Sequence, residues 1–279
     1  MSGLAACGSS SSKGNGPPPA PTLPASPGAG HSFYVSLGDS YAAGYQPAAN
    51  GGQSSSYISF YLGLSGKVTT RLHTFPGTAI CDWFNDMRSE LNPSNAGGFH
   101  PQAVVIEFQG DAFTPCMKNA AGVPYTGQAL VNKYQFDSAG VISLFTHAHV
   151  PVYFVSAPIS RAQAAQGYIG IAPVGALFSK LPAIYPAGGL TRFIDGAAAV
   201  EWQGHYTDTL PCAPWETCTG HWPDGTKTVV VREADGVHFC PVKEVPAGGG
   251  FTTCPVYMGG AARFAMAIAG PVLHAYNLS

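Results

Sequence analysis

Short apolar runs alternate with amphipathic stretches along most of the chain. Five runs are rich enough in β-branched and other apolar residues for strands that are buried on both faces, which is typical of a parallel sheet. These runs lie at residues 33–37, 67–72, 102–108, 151–156 and 227–231. Helical periodicity occupies residues 55–64, 79–91, 130–147 and 258–276. This alternation predicts an α/β fold in which a five-stranded parallel sheet lies between two layers of helices.

Two polar motifs follow the first and the last of these predicted strands. Ser40 lies in Gly38-Asp39-Ser40-Tyr41, and Asp235 precedes His238 by three residues. An aspartate at that spacing can accept a hydrogen bond from the imidazole, which fixes the tautomer that removes a proton from a serine. Each motif also occurs in ordinary turns. Because the carboxyl ends of parallel strands share one sheet edge, the two together favour a nucleophilic catalytic site.

The two motifs resemble those of the SGNH (GDSL-type) esterases and lipases. In that family the first motif carries the nucleophile and the last motif carries the aspartate and the histidine. The resemblance implies that Ser40, Asp235 and His238 are the catalytic residues. It also implies a flavodoxin-like three-layer α/β/α fold and a carboxylic ester hydrolase that acts through an acyl-serine intermediate.

The resemblance further implies three donors for the oxyanion of the tetrahedral intermediate. Two are the backbone N–H groups of Ser40 and Gly77, and the third is an asparagine that follows the third strand. This chain has Asp111 at that position. An ionised carboxylate offers no donor and repels the anion, and loss of one donor typically costs about 10²–10³ in rate. A protonated Asp111, the Gln109 side chain and a backbone N–H of residues 109–112 are the alternative third donors.

Three functions are compatible with these residues. The first is an esterase or lipase that acts on acylated carbohydrate, lipid or short-chain esters of the cell envelope. The second is an SGNH-type O-acyltransferase, and the third is an inactive glycan-binding module that has lost its oxyanion donor. We expect the chain to need neither a cofactor nor a metal.

The amino-acid composition indicates which classes of partner the chain can bind and how much of it forms loops. Only 10% of the residues are charged, the net charge is −2, and glycine and proline number 35 and 24. The sequence has no cluster of basic residues that would indicate nucleic-acid binding. No apolar run approaches the roughly 18 residues that a membrane-spanning helix needs. The abundant glycine and proline predict long loops, with residues 157–226 as a loop-rich insertion that forms a lid or a pocket wall. We expect a monomer that acts on a small-molecule, glycan or lipid ester.

The first 30 residues predict export. Leu4-Ala5-Ala6-Cys7 has the form of a bacterial lipobox, in which Cys7 becomes lipidated, in the style of an actinobacterial envelope lipoprotein. Residues 1–30 are rich in Ser, Gly and Pro and read as a tether, with the hydrolase domain at 31–279. Only Met1-Ser2-Gly3 precedes the lipobox, so a basic and apolar leader is missing. The prediction is a secreted or envelope-bound protein that touches the membrane only through Cys7.

Six further cysteines favour the same location. An even number in a loop-rich exported domain predicts three disulfides. With the oxyanion loops placed by the resemblance, the expected pairs are Cys81–Cys116, Cys212–Cys218 and Cys240–Cys254. A zinc site at Cys212, Cys218 and His221 is the alternative, which the lack of Cys-x-x-Cys pairs disfavours.

Overall fold

The main sheet of the computed structural model is built from parallel strands in the spatial order β2-β1-β3-β4-β5. Its strands are β1 (Ser32–Gly38), β2 (Val68–Thr74), β3 (Ala103–Glu107), β4 (Val152–Val155) and β5 (Thr191–Ile194). The first four coincide with predicted strands, so the mixed α/β class is confirmed. The structure describes residues 32–38, 57–63, 67–92, 100–233, 235–239 and 259–278. Predictions for residues 1–30, Ser40, Cys240 and Cys254 lie outside the described residues.

Helices occupy the connections between the strands. The longer ones are α1 (Tyr57–Gly63), α2 (Phe84–Leu91), α3 (Gly127–His147) and α7 (Gly260–Ala275), and all four were predicted. Three short helices follow β4, namely α4 (Arg161–Ala165), α5 (Pro173–Phe178) and α6 (Leu181–Ile184). Turns of 3₁₀ helix lie at Ile80–Trp83, Pro115–Met117, Ala187–Gly189 and Ala197–Val200. None of the helices in these ranges is long and apolar enough to span a bilayer.

Both faces of the sheet are covered by helices. On β3, Val105 joins the cluster formed with α1 and α7, whereas Val104 and Ile106 join the cluster formed with α2, α3 and α5. Successive side chains of a strand point to opposite faces, so a strand with two buried faces is largely apolar. This explains why β3 and β4, whose residues are all buried, appear in the sequence as nearly continuous apolar runs.

The fifth predicted strand was wrong. Residues 227–231 do not join the parallel sheet; β8 (Lys227–Val230) instead pairs antiparallel with β6 (Thr209–Pro211) and β7 (Gly220–His221). Antiparallel pairing needs only short turns, whereas a parallel strand needs a long crossover, and the partners of β8 are close in sequence. The strand beside β4 is β5, whose four residues Thr191-Arg192-Phe193-Ile194 are too few and too polar to predict a buried strand. The segment 157–226 therefore also supplies a strand of the main sheet.

Candidate active site

The ends of three strands lie level with one another in the sheet. Gly38, the last residue of β1, is in register with Thr74 at the end of β2 and with Glu107 at the end of β3. The loops that follow these strands therefore begin at one edge, as expected for the carboxyl edge of a parallel sheet. Ser40, two residues beyond Gly38 in sequence, lies outside the described residues.

The turn after β2 places Gly77 at this edge. The Phe75 N–H donates to the Gly38 carbonyl at 3.2 Å, which ties the turn to the end of β1. Gly77 has φ +78°, in the left-handed region that favours glycine. A Cβ at this position would lie 3.5 Å from the ring of Phe113. The Gly77 turn therefore packs beside the loop that follows β3.

That loop carries Asp111 and is held in place from two sides. The Tyr134 hydroxyl of α3 donates to the Asp111 backbone carbonyl at 3.0 Å. Gly110 has φ +119°, in the region that favours glycine, and a Cβ there would lie only 3.0 Å from the side chain of Val174 on α5. Burial raises the pKa of Asp111 to about 6, and the charge of His238 opposes that rise. Asp111 is therefore close enough to His238 for the two groups to interact electrostatically.

A disulfide joins the chain that follows the Gly77 turn to the chain that follows Asp111. Cys81, in the 3₁₀ turn after β2, is bonded to Cys116, which follows the Asp111 loop. This predicted pair is confirmed, as is Cys212–Cys218 beside the antiparallel sheet, which takes up both thiols of the alternative zinc site. Cys81, Asp82 and Cys116 lie close enough for a metal site, but the bond between the cysteines removes two of its ligands. Cys7, Cys240 and Cys254 lie outside the described residues.

Asp235 and His238 lie on a short hairpin that we call the Asp–His hairpin, made of Arg232, Glu233 and residues 235–239. An isolated bridge pairs Arg232 with Phe239, and the Glu233 N–H donates to the His238 carbonyl at 2.8 Å. Gly236 makes the turn with φ +73°. The hairpin thus returns the chain on itself and brings the carboxylate of Asp235 onto the imidazole of His238.

The Asp235 carboxylate accepts three hydrogen bonds within this hairpin. Its Oδ2 lies 2.6 Å from Nδ1 of His238. Its Oδ1 accepts from the backbone N–H groups of Val237 and His238 at 2.8 and 3.1 Å. Burial raises the pKa of Asp235, but these hydrogen bonds lower it by more, so the carboxyl is ionised at neutral pH. Because Nδ1 carries the hydrogen that Asp235 accepts, Nε2 is the nitrogen that can take up a proton.

Residues of the segment 157–226 border the hairpin. The Arg161 N–H donates to the Gly236 carbonyl at 2.8 Å, and the Arg161 guanidinium pairs with Asp208 at 2.8 Å. Trp202 and Trp222 stack edge to face, with 4.8 Å between ring centroids. The Arg161–Gly236 hydrogen bond therefore joins this segment to the Asp–His hairpin, and its role as a lid or a pocket wall stays a prediction.

No sequence prediction covered the buried charged groups in and around the Asp–His hairpin. Arg232 is only 2% exposed, and Glu201 and Glu233 are also buried. Burial raises the pKa values of both glutamates to about 7. The available signal was the position of Arg232 directly after the apolar run 228–231, where a charged side chain next to a buried strand needs a partner.

Solved structures that resemble this chain include SGNH and GDSL-type esterases and acylhydrolases, all at low identity. TesA is 12% identical with a TM-score of 0.48, over 89% of this chain and 100% of that chain. A catalytic mutant of Axe2, an acetylxylan esterase from Geobacillus stearothermophilus, is 13% identical with a TM-score of 0.45, over 88% of this chain and 93% of that chain. AlinE4, an SGNH-hydrolase family esterase, is 13% identical with a TM-score of 0.38, over 58% of this chain and 75% of that chain.

Comparison of sequences adds no closer relative. No protein-family model and no curated protein matches the chain.

Proposed function

We propose that the chain is a serine carboxylester hydrolase of the SGNH type. The observation that carries the proposal is the Asp235–His238 pair, joined at 2.6 Å on a hairpin whose imidazole interacts electrostatically with Asp111. A carboxylate that orients an imidazole is the arrangement that activates a serine hydroxyl.

Ser40 is the proposed nucleophile. Gly38 ends β1 level with Thr74 and Glu107, and two residues of chain reach at most about 7 Å further. Nε2 of His238 accepts the hydroxyl proton as Oγ attacks the ester carbonyl. Collapse of the tetrahedral intermediate breaks the ester C–O bond, and His238 returns the proton to the departing alcohol. Water then attacks the acyl-serine, His238 takes one proton from that water, and the carboxylic acid is released as Oγ regains its proton.

The oxyanion of each tetrahedral intermediate needs donors near the reacting carbon. We assign the N–H groups of Ser40 and Gly77 and the carboxyl of Asp111 to this role. With its pKa raised to about 6 by burial, Asp111 keeps its proton at mildly acidic pH and can donate it in a hydrogen bond. Above that pH the carboxylate repels the developing charge. This residue is also what favours the second candidate function, a glycan-binding module without turnover.

We propose esters of the cell envelope as the substrate class: acylated carbohydrate, lipid or short-chain esters. Phe75 and Phe113 flank the Gly77 turn, and their side chains are 53% and 74% exposed, which offers an apolar surface for an acyl group. The disulfides Cys81–Cys116 and Cys212–Cys218 fit an oxidising compartment. Lipidation at Cys7 would hold the domain at the membrane.

A fluorophosphonate probe tests the nucleophile directly, because it forms a covalent bond with an activated serine. We expect the full chain to be labelled and Ser40→Ala to lose both labelling and hydrolysis of nitrophenyl acetate. Ser179→Ala, at an exposed position after α5, is the matched control and should be labelled normally. An unlabelled wild-type protein that still binds glycans would favour the binding module, and acylated sugar formed faster than free acid would favour an acyltransferase.

A further inference from the structure

Arg232 is a large charged side chain in the interior, directly at the base of the Asp–His hairpin. Its guanidinium lies 4.6 Å from the ring centroid of Phe239, which in turn packs on Phe264 of α7 with 5.0 Å between centroids. Burial of a charged group is costly unless the group gains strong interactions in return. The contacts of the buried Arg232 guanidinium therefore show which groups it holds in place.

One of these contacts acts on the peptide unit that carries His238. Nη1 of Arg232 donates to the Val237 carbonyl at 3.1 Å, while the His238 N–H on the other side of the same peptide bond donates to Asp235 at 3.1 Å. A peptide unit is planar, so fixing its oxygen and its hydrogen fixes its orientation. The backbone of His238 is thereby held from two directions.

The same guanidinium connects the hairpin to the segment that follows β4. Its Nη2 reaches the Ile159 carbonyl at 3.5 Å, and the Ile159 N–H donates to Glu201 at 2.9 Å. The charge of Arg232 also opposes the rise in the pKa of Glu201, so the two side chains are close. Arg232 thus anchors the hairpin to a polar chain of contacts inside the protein.

We propose that Arg232 is a positioning residue for ester hydrolysis: its buried guanidinium holds the Val237–His238 peptide so that the imidazole stays aligned between Asp235 and the reacting serine. The alignment rests on the proposed function, although the contact itself does not. Arg232 touches neither the substrate nor the reacting atoms. Its removal affects turnover because a small misplacement of a catalytic group can cost about 10²-fold in rate.

Arg263 provides a matched control. It is another largely buried arginine, on α7, whose guanidinium pairs with Glu216 and with the Pro211 carbonyl instead of with the hairpin. The variants to compare are Arg232→Met, Arg232→Lys, Arg263→Met and Arg263→Lys. Each is made in the full chain and characterised by kcat and KM for nitrophenyl acetate, by the melting temperature, and by the downfield NMR signal of the hydrogen-bonded imidazole N–H.

We expect Arg232→Met to lose about 10²-fold in kcat while KM changes by less than about threefold, and to lose the downfield imidazole signal. Arg232→Lys keeps the charge but not the planar fork, so it should recover part of kcat and part of the signal. Both Arg263 variants should lower the melting temperature yet keep kcat within about twofold and retain the signal. If Arg232→Met does not fold, Arg232→Lys and Arg263→Lys carry the same comparison.

Two results would overturn the positioning role. One is an unchanged kcat and imidazole signal in a folded Arg232 variant. The other is an equal loss of kcat in the Arg263 variants at an equal loss of melting temperature. A wild-type protein without ester hydrolysis, whose imidazole signal nevertheless disappears in Arg232→Met, would refute the proposed function but confirm that Arg232 orients the imidazole of His238. Ester hydrolysis by the wild-type protein together with an unchanged kcat in the Arg232 variants would support the proposed function and refute the positioning role.

Discussion

Asp235 and Asp111 lie on loops that both approach His238, and their surroundings give the two carboxyl groups opposite chemistry. Asp235 accepts hydrogen bonds from the imidazole of His238 and from two backbone N–H groups, and its pKa lies below the ordinary value. Burial instead raises the pKa of Asp111 to about 6. An aspartate is therefore assigned its role by the donors and the solvent around it, and not by its residue type.

The two loops also differ in how they are held. The Asp–His hairpin is fixed by hydrogen bonds and by the buried Arg232, whereas the Asp111 loop is fixed by the Cys81–Cys116 bond and the Tyr134 hydroxyl. Loss of the Cys81–Cys116 bond is therefore expected to affect the Asp111 loop more than the Asp–His hairpin. Substitutions in the Asp–His hairpin and in the Asp111 loop test this difference.

The largest effect is expected from Asp235→Asn, which removes the carboxylate that fixes the imidazole tautomer. We expect kcat for nitrophenyl acetate to fall by about 10⁴-fold, because the amide allows His238 to present a hydrogen at the nitrogen that must accept a proton. Steady-state kinetics at saturating substrate measures this loss. Asp224→Asn, in an exposed turn, should stay within about twofold. Retention of a tenth of the activity by Asp235→Asn would show that Asp235 does not orient the base.

Removal of the Cys81–Cys116 bond should be the next largest change. The bond closes a loop of 35 residues, so replacing both cysteines by alanine should cost about 4 kcal/mol in the free energy of unfolding. The Cys212–Cys218 bond closes only 6 residues and should cost about 2 kcal/mol. Urea denaturation of oxidised protein gives both values. We expect esterase activity to fall with the first pair and to persist with the second, and the opposite ranking would contradict this assignment.

The effect of Asp111→Asn on kcat should depend on pH, because the pKa of Asp111 is raised whereas that of Asp235 is lowered. Below about pH 5 the native Asp111 is protonated and donates as asparagine would, so the ratio of variant to wild-type kcat should be close to one. As the pH rises through about 6 the wild-type carboxyl ionises, and the ratio should climb to about 10²-fold by pH 8. Kinetics of both proteins from pH 5 to 8 provides the ratio. A ratio that does not vary with pH would exclude Asp111 as the third donor.

The smallest predicted effect concerns the apolar surface beside the oxyanion loops. Phe113→Ser should lower kcat/KM for a nitrophenyl octanoate by roughly fivefold relative to the acetate, because part of a buried acyl chain loses its apolar partner. Phe136→Ser on α3 removes an equally exposed ring, 76% against 74%, and serves as the control. Equal chain-length preferences in the two variants would remove Phe113 from the acyl site.

Much of the architecture was predictable because a parallel sheet with two buried faces imposes continuous apolar runs. β1 to β4 were predicted from such runs, and the four longer helices from their helical periodicity. β5 was missed because Thr191-Arg192-Phe193-Ile194 is short and half polar, and β8 was assigned to the wrong sheet because an apolar run does not show which strands it pairs with. Arg232 was missed for a related reason: the sequence places a charge after a strand but gives no sign that the charge is enclosed.

The sequence by itself determined the residue types and their spacings. The most informative spacing is that of Asp235 and His238, because a single turn can bring side chains three residues apart into contact. Tertiary structure decided the raised pKa of Asp111, the pairing of Cys81 with Cys116 and the contact between Arg232 and the Ile159 carbonyl. Each of these depends on groups that are far apart in the chain. Desolvation and hydrogen bonding act over a few ångströms in space, so they are set only when the fold brings such groups together.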